Sequence, residues 1–348
     1  MKSYIIRTEE GEAFFAASKA RRDAETIALQ NGYELIQFPG DRTAEGSVTG
    51  ALRLARDGIR NWTKLIKKAE ARSRILVQYP HYPMKSAILS RRMLPIGHRK
   101  KDLQFVALIH DLDSARMLHG NGAIYSDRKL LPVFDRIICH NEQMKKLLVS
   151  WGIPEEKLIV LGIFDYLTNA DMPSHEKEDG ITVAGNLSSE KCGYVQQLIR
   201  LIKQPLHLYG KGLDPDTLPE NVTAYGAVPP DRLPGEIKGG FGLIWDGPEA
   251  DCCTGPAGIY LRINNPHKLS LYLTTGMPVI IWEEAAEAAF VKENGVGMTV
   301  KSLAEIEEAV QAVTPEKYKQ MRENAIGIGK ALRSGAYLQK ALEQITAE

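Results

Sequence analysis

Short apolar runs alternate with amphipathic stretches twice over in this chain, and that doubling constrains the fold more than any other feature. In the first half the runs are Tyr4–Arg7, Tyr33–Phe38, Arg74–Tyr79, Phe105–His110, Arg136–His140 and Leu158–Leu161. Helical patterns lie between them, such as Ala20–Gln30, Ser47–Ala71 and Asn141–Trp151. Strand, helix, strand, helix is the signature of a parallel, doubly wound sheet. VALIH and RIICH are nearly continuous in apolar residues, as strands covered on both faces are. The pattern breaks at Thr168–Gly180 (TNADMPSHEKEDG), a polar stretch with Pro173 that reads as a linker. It then resumes with Ile181–Ala184, a helix near Tyr194–Ile202, Leu206–Tyr209, Val222–Tyr225, Gly242–Trp245, a helix from Pro266, and Val279–Trp282, before a charged helical tail from Pro315 to Ala347. The expectation is an α/β chain of two Rossmann-like domains facing each other across a cleft. They cover residues 1–167 and 181–325, joined by a linker at 168–180. A helix at 326–348 is expected to pack back toward the first domain. A length of 348 residues suits two domains.

Composition removes other classes. Apolar residues at 44% and charged residues at 25% exclude a disordered chain. A net charge of +1 argues against bulk electrostatic binding of nucleic acid. The four cysteines form no CxxC and no zinc spacing, and adjacent Cys252 and Cys253 read as free thiols. No apolar stretch reaches spanning length, and MKSYIIRTEEGEAFF lacks the run of a signal peptide. These features place the chain in a reducing cytoplasm.

In open α/β sheets ligands sit outside the carboxyl ends of the strands, so those ends are where chemistry is expected. The strongest feature is NNPHKLSLYLTTGMP (264–278). Asn265 suits an N-cap and Pro266 a first helical position. Leu269, Tyr272 and Leu273 give one buried face, and Gly276 with Pro278 ends the helix. His267 and Lys268 are the oddity, since a cation in the first turn opposes the helix dipole by about 0.3–1 kcal/mol. A bound anion gripped by the free amides and Lys268 offsets that cost. So does pairing with an acid.

The strand ending in His110 leads into Asp111-Leu112-Asp113-Ser114-Ala115-Arg116. His110, Asp111 or Asp113 there suits proton removal from a hydroxyl nucleophile. Helix capping and an Asp111–Arg116 pair are the alternative. Asp246 before Gly247 ends another strand, while Asn141 reads as a helix cap. The turns Gly185-Asn186, Gly210-Lys211-Gly212 and Gly226 each follow a strand and allow close backbone approach to a phosphate or ribose. GxGxxG, GxxxxGK[ST] and GxSxG are all missing, which weakens nicotinamide, P-loop and serine-hydrolase readings. His81–Lys101 carries Lys85, Arg91, Arg92, Arg99, Lys100 and Lys101 with no acid. Its end, Ile96–Lys101, reads as a loop suited to a lipid-linked pyrophosphate or an acidic membrane surface.

At these residues the chain resembles bacterial glycosyltransferases of the GT-B fold, among them β-1,6-galactofuranosyltransferases and the glucosyltransferases that extend GlcNAc on serine-rich adhesins. The matching segments are SKARRD (18–23), QYPHY (78–82), IHDLDSAR (109–116), DRIICHNEQMKKLLVSWGI (135–153), IFDYL (163–167), AGNL (184–187), LYGKG (208–212), GGFGLIWDG (239–247) and NNPHKLSLYLTTGMPVII (264–281). The resemblance implies an amino-terminal acceptor domain, a carboxy-terminal UDP-sugar domain and no metal. It places nucleotide contacts at Lys191, Tyr225 and Lys268, with Gly185, Asn186, Asn265, His267 and Asp246 around them. A ribose-binding acid would be Glu283, Glu284 or Glu287. The expected reaction moves a hexosyl group, galactofuranose or glucose, from a UDP-sugar to a hydroxyl of a glycan or lipid-linked glycan. Homo-oligomer formation and contact with the inner face of the membrane accompany that expectation, and nucleic acid does not. Two other readings stay open: a UDP-sugar epimerase on the same scaffold, and a non-catalytic partner subunit.

Overall fold

The computed structural model describes residues 1–8, 16–38, 48–81, 87–116, 127–213 and 218–346. Lys85 lies outside them, and so do the side chains of Arg91 and Arg92. The chain divides into two compact units. One comprises Met1–Ala13, Arg21–Leu161 and Leu338–Glu348, and the other Phe14–Ala20 and Gly162–Tyr337.

In chain order the first half contains β1 (Ser3–Thr8), α1 (Ala16–Gln30), β2 (Tyr33–Phe38), α2 (Val48–Lys68), β3 (Arg74–Tyr79), α3 (Ala87–Lys101), β4 (Gln104–Ile109), α4 (Asp127–Leu130), β5 (Arg136–Cys139), α5 (Glu142–Ser150) and β6 (Leu158–Val160). The six strands form one parallel sheet in the order β2-β1-β3-β4-β5-β6. RILVQY of β3 is buried throughout, Arg74 and Gln78 included, as a central strand covered on both faces is. Asn141 caps α5 as expected, its Oδ1 accepting from Met144 N at 3.0 Å.

Ile96–Lys101 is not a loop. It is the last part of α3, which continues through Pro95. Leu94 is fully buried, and Gly97 sits so close to Phe105 that a Cβ would come within 2.8 Å of the ring. Burial of Leu94 and packing of Gly97 on Phe105 therefore hold the helix together, while Pro95 is exposed.

The second half contains β7 (Ile181–Ala184), α6 (Ser189–Cys192), α7 (Val195–Leu201), β8 (Leu206–Tyr209), β9 (Val222–Gly226), α8 (Leu233–Glu236), β10 (Phe241–Ile244), α9 (Gly255–Tyr260), α10 (His267–Thr274), β11 (Val279–Trp282), α11 (Ala288–Glu293), β12 (Gly297–Val300), α12 (Ile306–Gln311), α13 (Pro315–Ser334) and α14 (Ala336–Thr346). Its parallel sheet runs β12-β11-β10-β7-β8-β9. β12 was not anticipated, because GMTV is short, led by glycine and only partly buried.

By contacts the chain divides at Leu161/Gly162. Residues 163–166 join the second unit because Ile163 and Tyr166 lie in its core, while Ser270 and Thr274 donate to the carbonyls of Phe164 and Tyr166. The polar stretch before β7 also packs on this unit: Lys177 Nζ donates to Val313 O at 2.7 Å, and His175 is buried against Thr275. Leu338–Glu348 belongs to the first unit, where Arg74 donates to Ile345 O at 2.8 Å and Thr346 Oγ1 at 3.1 Å. Among the described residues no helix is long and apolar enough to cross a membrane.

Candidate functional site

The strand order of the second, parallel sheet reverses between β7 and β10, which pair side by side although two strands separate them in sequence. Such a switch point is where doubly wound sheets open a crevice at their carboxyl ends. Three segments meet there: the Gly185-Asn186 turn after β7, Trp245-Asp246-Gly247 after β10, and the start of α10. Glycine is required twice. A Cβ on Gly210 would fall 2.0 Å from Gly185 O, and Gly247 has φ +119° with Thr254 O beside it.

One face of α10 fixes this geometry. Lys268 Nζ donates to Asp246 Oδ1 at 2.7 Å and to Trp245 O at 2.8 Å. One turn later, the Tyr272 hydroxyl accepts from Ala184 N at 2.9 Å and donates to Thr182 O at 3.3 Å. Lysine thus ties the helix to β10 and tyrosine ties it to β7, at i and i+4. Gly242 makes this possible, since a Cβ there would strike the Tyr272 ring at 2.2 Å. The other face holds residues 162–166.

Asn265 is not the helix cap. Its Nδ2 donates to Gly162 O at 2.9 Å, and Pro266 occupies the cap position with no side-chain hydrogen bond. The cap position of α10 therefore supplies no side-chain acceptor. The misplaced cation has an answer within the protein, for Lys268 and Asp246 are 11% and 7% exposed and paired. Burial works against the Lys268 charge, but Asp246 more than offsets it and holds the ammonium above its ordinary range. His267 packs on Tyr166 with ring centroids 4.9 Å apart. Burial first, and the Lys19 charge second, lower its pKa to about 3, so it is neutral.

Lys191 lies on α6, and its carbonyl accepts from Gly247 N at 2.8 Å, which ties that turn to Asp246. Its half-buried side chain has no hydrogen-bond or ion-pair partner among the described residues. Asn186 turns back on the chain, accepting from Ser188 N at 3.0 Å. Tyr225 points elsewhere: it stacks on Tyr209 at 4.5 Å, and its hydroxyl is 3.0 Å from His207 Nδ1. The structure thus gathers Lys268, Asp246, Gly185 and the Lys191 turn around the switch point, and commits the Tyr225 ring to the β8 side. Of the three candidate acids, Glu284 is exposed and paired with Arg262, whereas Glu287 is buried at the start of α11. Cys192 and Cys253 lie near the pair, and burial pushes both thiols up. All four cysteines are free.

In the first sheet the corresponding ends carry His81, His110 and His140 beyond β3, β4 and β5. His110 Nε2 lies 2.9 Å from Gln78 Oε1. Burial, aided by the Arg21 charge, lowers His81 to about 3. Burial also lowers His140 to about 3, against carbonyl contacts that oppose it. Asp111 is half-buried and accepts from Arg116 Nη1 at 3.1 Å. The Asp113 turn is held by a carboxylate that the sequence did not disclose. Fully buried Asp127 accepts from Ser114 N at 2.8 Å, from the Ser114 hydroxyl and from Tyr79 OH at 2.5 Å. No periodicity or spacing links Asp127 to the turn it pins.

Comparison with known proteins fits this architecture. Residues 2–163 match the family model described as Glucosyltransferase 3-like, N-terminal domain, and residues 181–345 match the corresponding C-terminal domain. The chain is 37% identical to the β-1,6-galactofuranosyltransferase WbbI of Escherichia coli (strain K12), over 73% of this chain and 74% of that one. It is 30% identical to Glucosyltransferase 3 of Streptococcus gordonii, over 60% of each. The crystal structure of Anabaena Alr3699/HepE in complex with UDP and glucose shares the fold with a TM-score of 0.61 and 12% identity, each chain covered in full. Two parallel six-stranded Rossmann-like units of this kind make up the GT-B fold. The chain belongs to the Glucosyltransferase 3-like family of glycosyltransferases.

Proposed function

We propose that this glycosyltransferase moves a hexosyl group from a UDP-sugar to a glycan hydroxyl in the assembly of a cell-surface polysaccharide or glycoprotein. Galactofuranose is the first donor to try, given the relative at 37% identity, and glucose the second. The observation that carries the reading is the start of α10 at the switch point of the second sheet, free of a side-chain cap and tied to Asp246 through Lys268. In this reading the donor diphosphate lies against the first-turn amides, where the helix dipole favours an anion. Lys191 extends its ammonium to the phosphates, and Lys268, held in place by Asp246, adds positive potential. Charge that grows on UDP as the sugar departs is then stabilised by groups already in position. No metal enters the scheme. Gly185 and Asn186 border the nucleotide, and Glu287 stands ready for the ribose. In the first unit Asp111, with His110 and Asp113 beside it, accepts the proton of the attacking hydroxyl.

Calorimetric titration of UDP tests the donor site. Lys191→Met breaks no side-chain hydrogen bond or ion pair among the described residues, so it should leave the fold intact and weaken UDP by about 10–100-fold, the loss of one charge-assisted contact. Lys268→Met combined with Asp246→Asn, which removes the pair without stranding a charge, should weaken it similarly. Unchanged affinity in both variants would remove the assignment. Isomerised donor after incubation without acceptor would favour an epimerase.

A further inference from the structure

Asp127, the first residue of α4, is fully buried and has no ion-pair partner among the described residues. Burying a carboxylate without a cation is costly unless hydrogen bonds replace its water. Here they do. Oδ1 accepts from Tyr79 OH at 2.5 Å, and Oδ2 accepts from Ser114 N at 2.8 Å and from the Ser114 hydroxyl. Ser114 Oγ in turn accepts from Asp127 N at 3.3 Å, so the two residues are tied in both directions.

Both partners stand at carboxyl ends of the first sheet. Tyr79 is the last residue of β3, its ring edge-on to Phe134 at 6.3 Å, and Ser114 lies in the turn that follows β4. That turn is fastened along its length. Leu112 is fully buried, Ser114 is fixed by Asp127, and Arg116 folds back, its N donating to Leu112 O at 3.0 Å and its Nη1 to Asp111 Oδ2 at 3.1 Å. A neutral side chain would close such a turn without a buried charge. A carboxylate accepts more strongly, and its charge-assisted bonds leave the turn fewer positions to sample. The stiffening falls on the segment that carries Asp111, and a proton acceptor gains most from being held in place beforehand.

We propose that Asp127 is a positioning residue for the transfer step, holding the 111–114 turn so that the Asp111 carboxylate meets the acceptor hydroxyl. The proposal rests on the reading of Asp111 as the proton acceptor. Asp127 acts through Ser114 and takes no proton from the substrate itself.

The test is a double-mutant cycle in the full chain. It reads UDP release from UDP-galactofuranose and UDP-glucose, with water and with octyl glycosides of glucose, galactose and N-acetylglucosamine as acceptors, alongside Tm and UDP affinity. Asp127→Asn keeps the volume and an acceptor for Ser114 N while giving up the charge. It should lower kcat by about 10–100-fold, the effect of a small misplacement of a catalytic group, with the UDP-sugar KM and UDP affinity at wild-type values. Ser114→Ala, at an exposed position, should lower kcat in the same direction and carries the cycle if Asp127→Asn does not fold. Added to Asp111→Asn, either substitution should slow the enzyme no further, since a residue that works through Asp111 then has nothing left to position. Wild-type kcat in folded Asp127→Asn or in Ser114→Ala, or losses that multiply in the double variants, would overturn the proposal while leaving Asp111 its role. Wild-type turnover in Asp111→Asn would instead remove the base, and the positioning role with it.

Discussion

Asp246→Asn is expected to destabilise the second unit substantially. Lys268 makes two hydrogen bonds, to Asp246 Oδ1 and Trp245 O, and neither partner of the ion pair is more than 11% exposed. Removing one charge of a buried pair leaves the other without compensation, a loss of about 3–5 kcal/mol. Asparagine keeps an acceptor oxygen, so the lower end, about 3 kcal/mol, is the working figure. For a unit of this size that corresponds to a Tm drop of roughly 6–12 °C. Lys268→Met should cost a similar amount. The double variant should recover at least about 2 kcal/mol of the summed loss, because each substitution harms the protein by orphaning the other residue. Differential scanning calorimetry of the four proteins measures this directly. The pH dependence has a definite sign. Lys268 has a folded-state pKa raised above the ordinary 10.5. Its contribution is therefore complete below the unfolded-state value and lost as pH climbs through the folded one. Asp246→Asn should flatten the alkaline decline. Strict additivity in the double variant, or a single variant within about 0.5 kcal/mol of wild type, would refute the reasoning.

Other consequences follow at separate sites. His140 is held neutral with a pKa of about 3, so an unfolded chain binds one more proton between that value and 6.5, and stability falls as pH drops below 6.5. His140→Gln should reduce the slope of unfolding free energy against pH between 6 and 4 by about 1.4 kcal/mol per pH unit, and urea titrations giving an unchanged slope would contradict this. Gly242→Ala forces a methyl into the Tyr272 ring and should cost about 1–3 kcal/mol or more, seen as a lower Tm, whereas a neutral effect would show that α10 can slide on β10. Asp111→Asn should lower turnover by about 10²–10⁴-fold while UDP affinity stays at the wild-type value, and full turnover would move the base elsewhere.

Much of this architecture was legible because buried parallel strands announce themselves. ILV of β3, FVALI of β4 and VIIW of β11 are apolar on both faces, and few other elements tolerate that. What escaped was set by tertiary packing. β12 begins at a glycine and is recognised only by its pairing with β11. α3 survives Pro95 because Leu94 is buried and Gly97 packs on Phe105 of β4, and no local pattern records that. Residues around NNPHKLSLY were legible as a site. Their details were not, since the Lys268 partner comes from 22 residues upstream, and Asn265 prefers the Gly162 carbonyl to the helix start. Asp127 was invisible for the same reason: its work is done on Tyr79 and Ser114 across the fold.

The donor site is tested most directly by a crystal structure of the protein with UDP. The account predicts diphosphate oxygens within hydrogen-bonding distance of the first-turn amides of α10, with the Lys191 side chain turned toward them and Lys268 still joined to Asp246. A diphosphate bound away from the β7–β10 switch point, with the start of α10 in contact only with solvent, would contradict it.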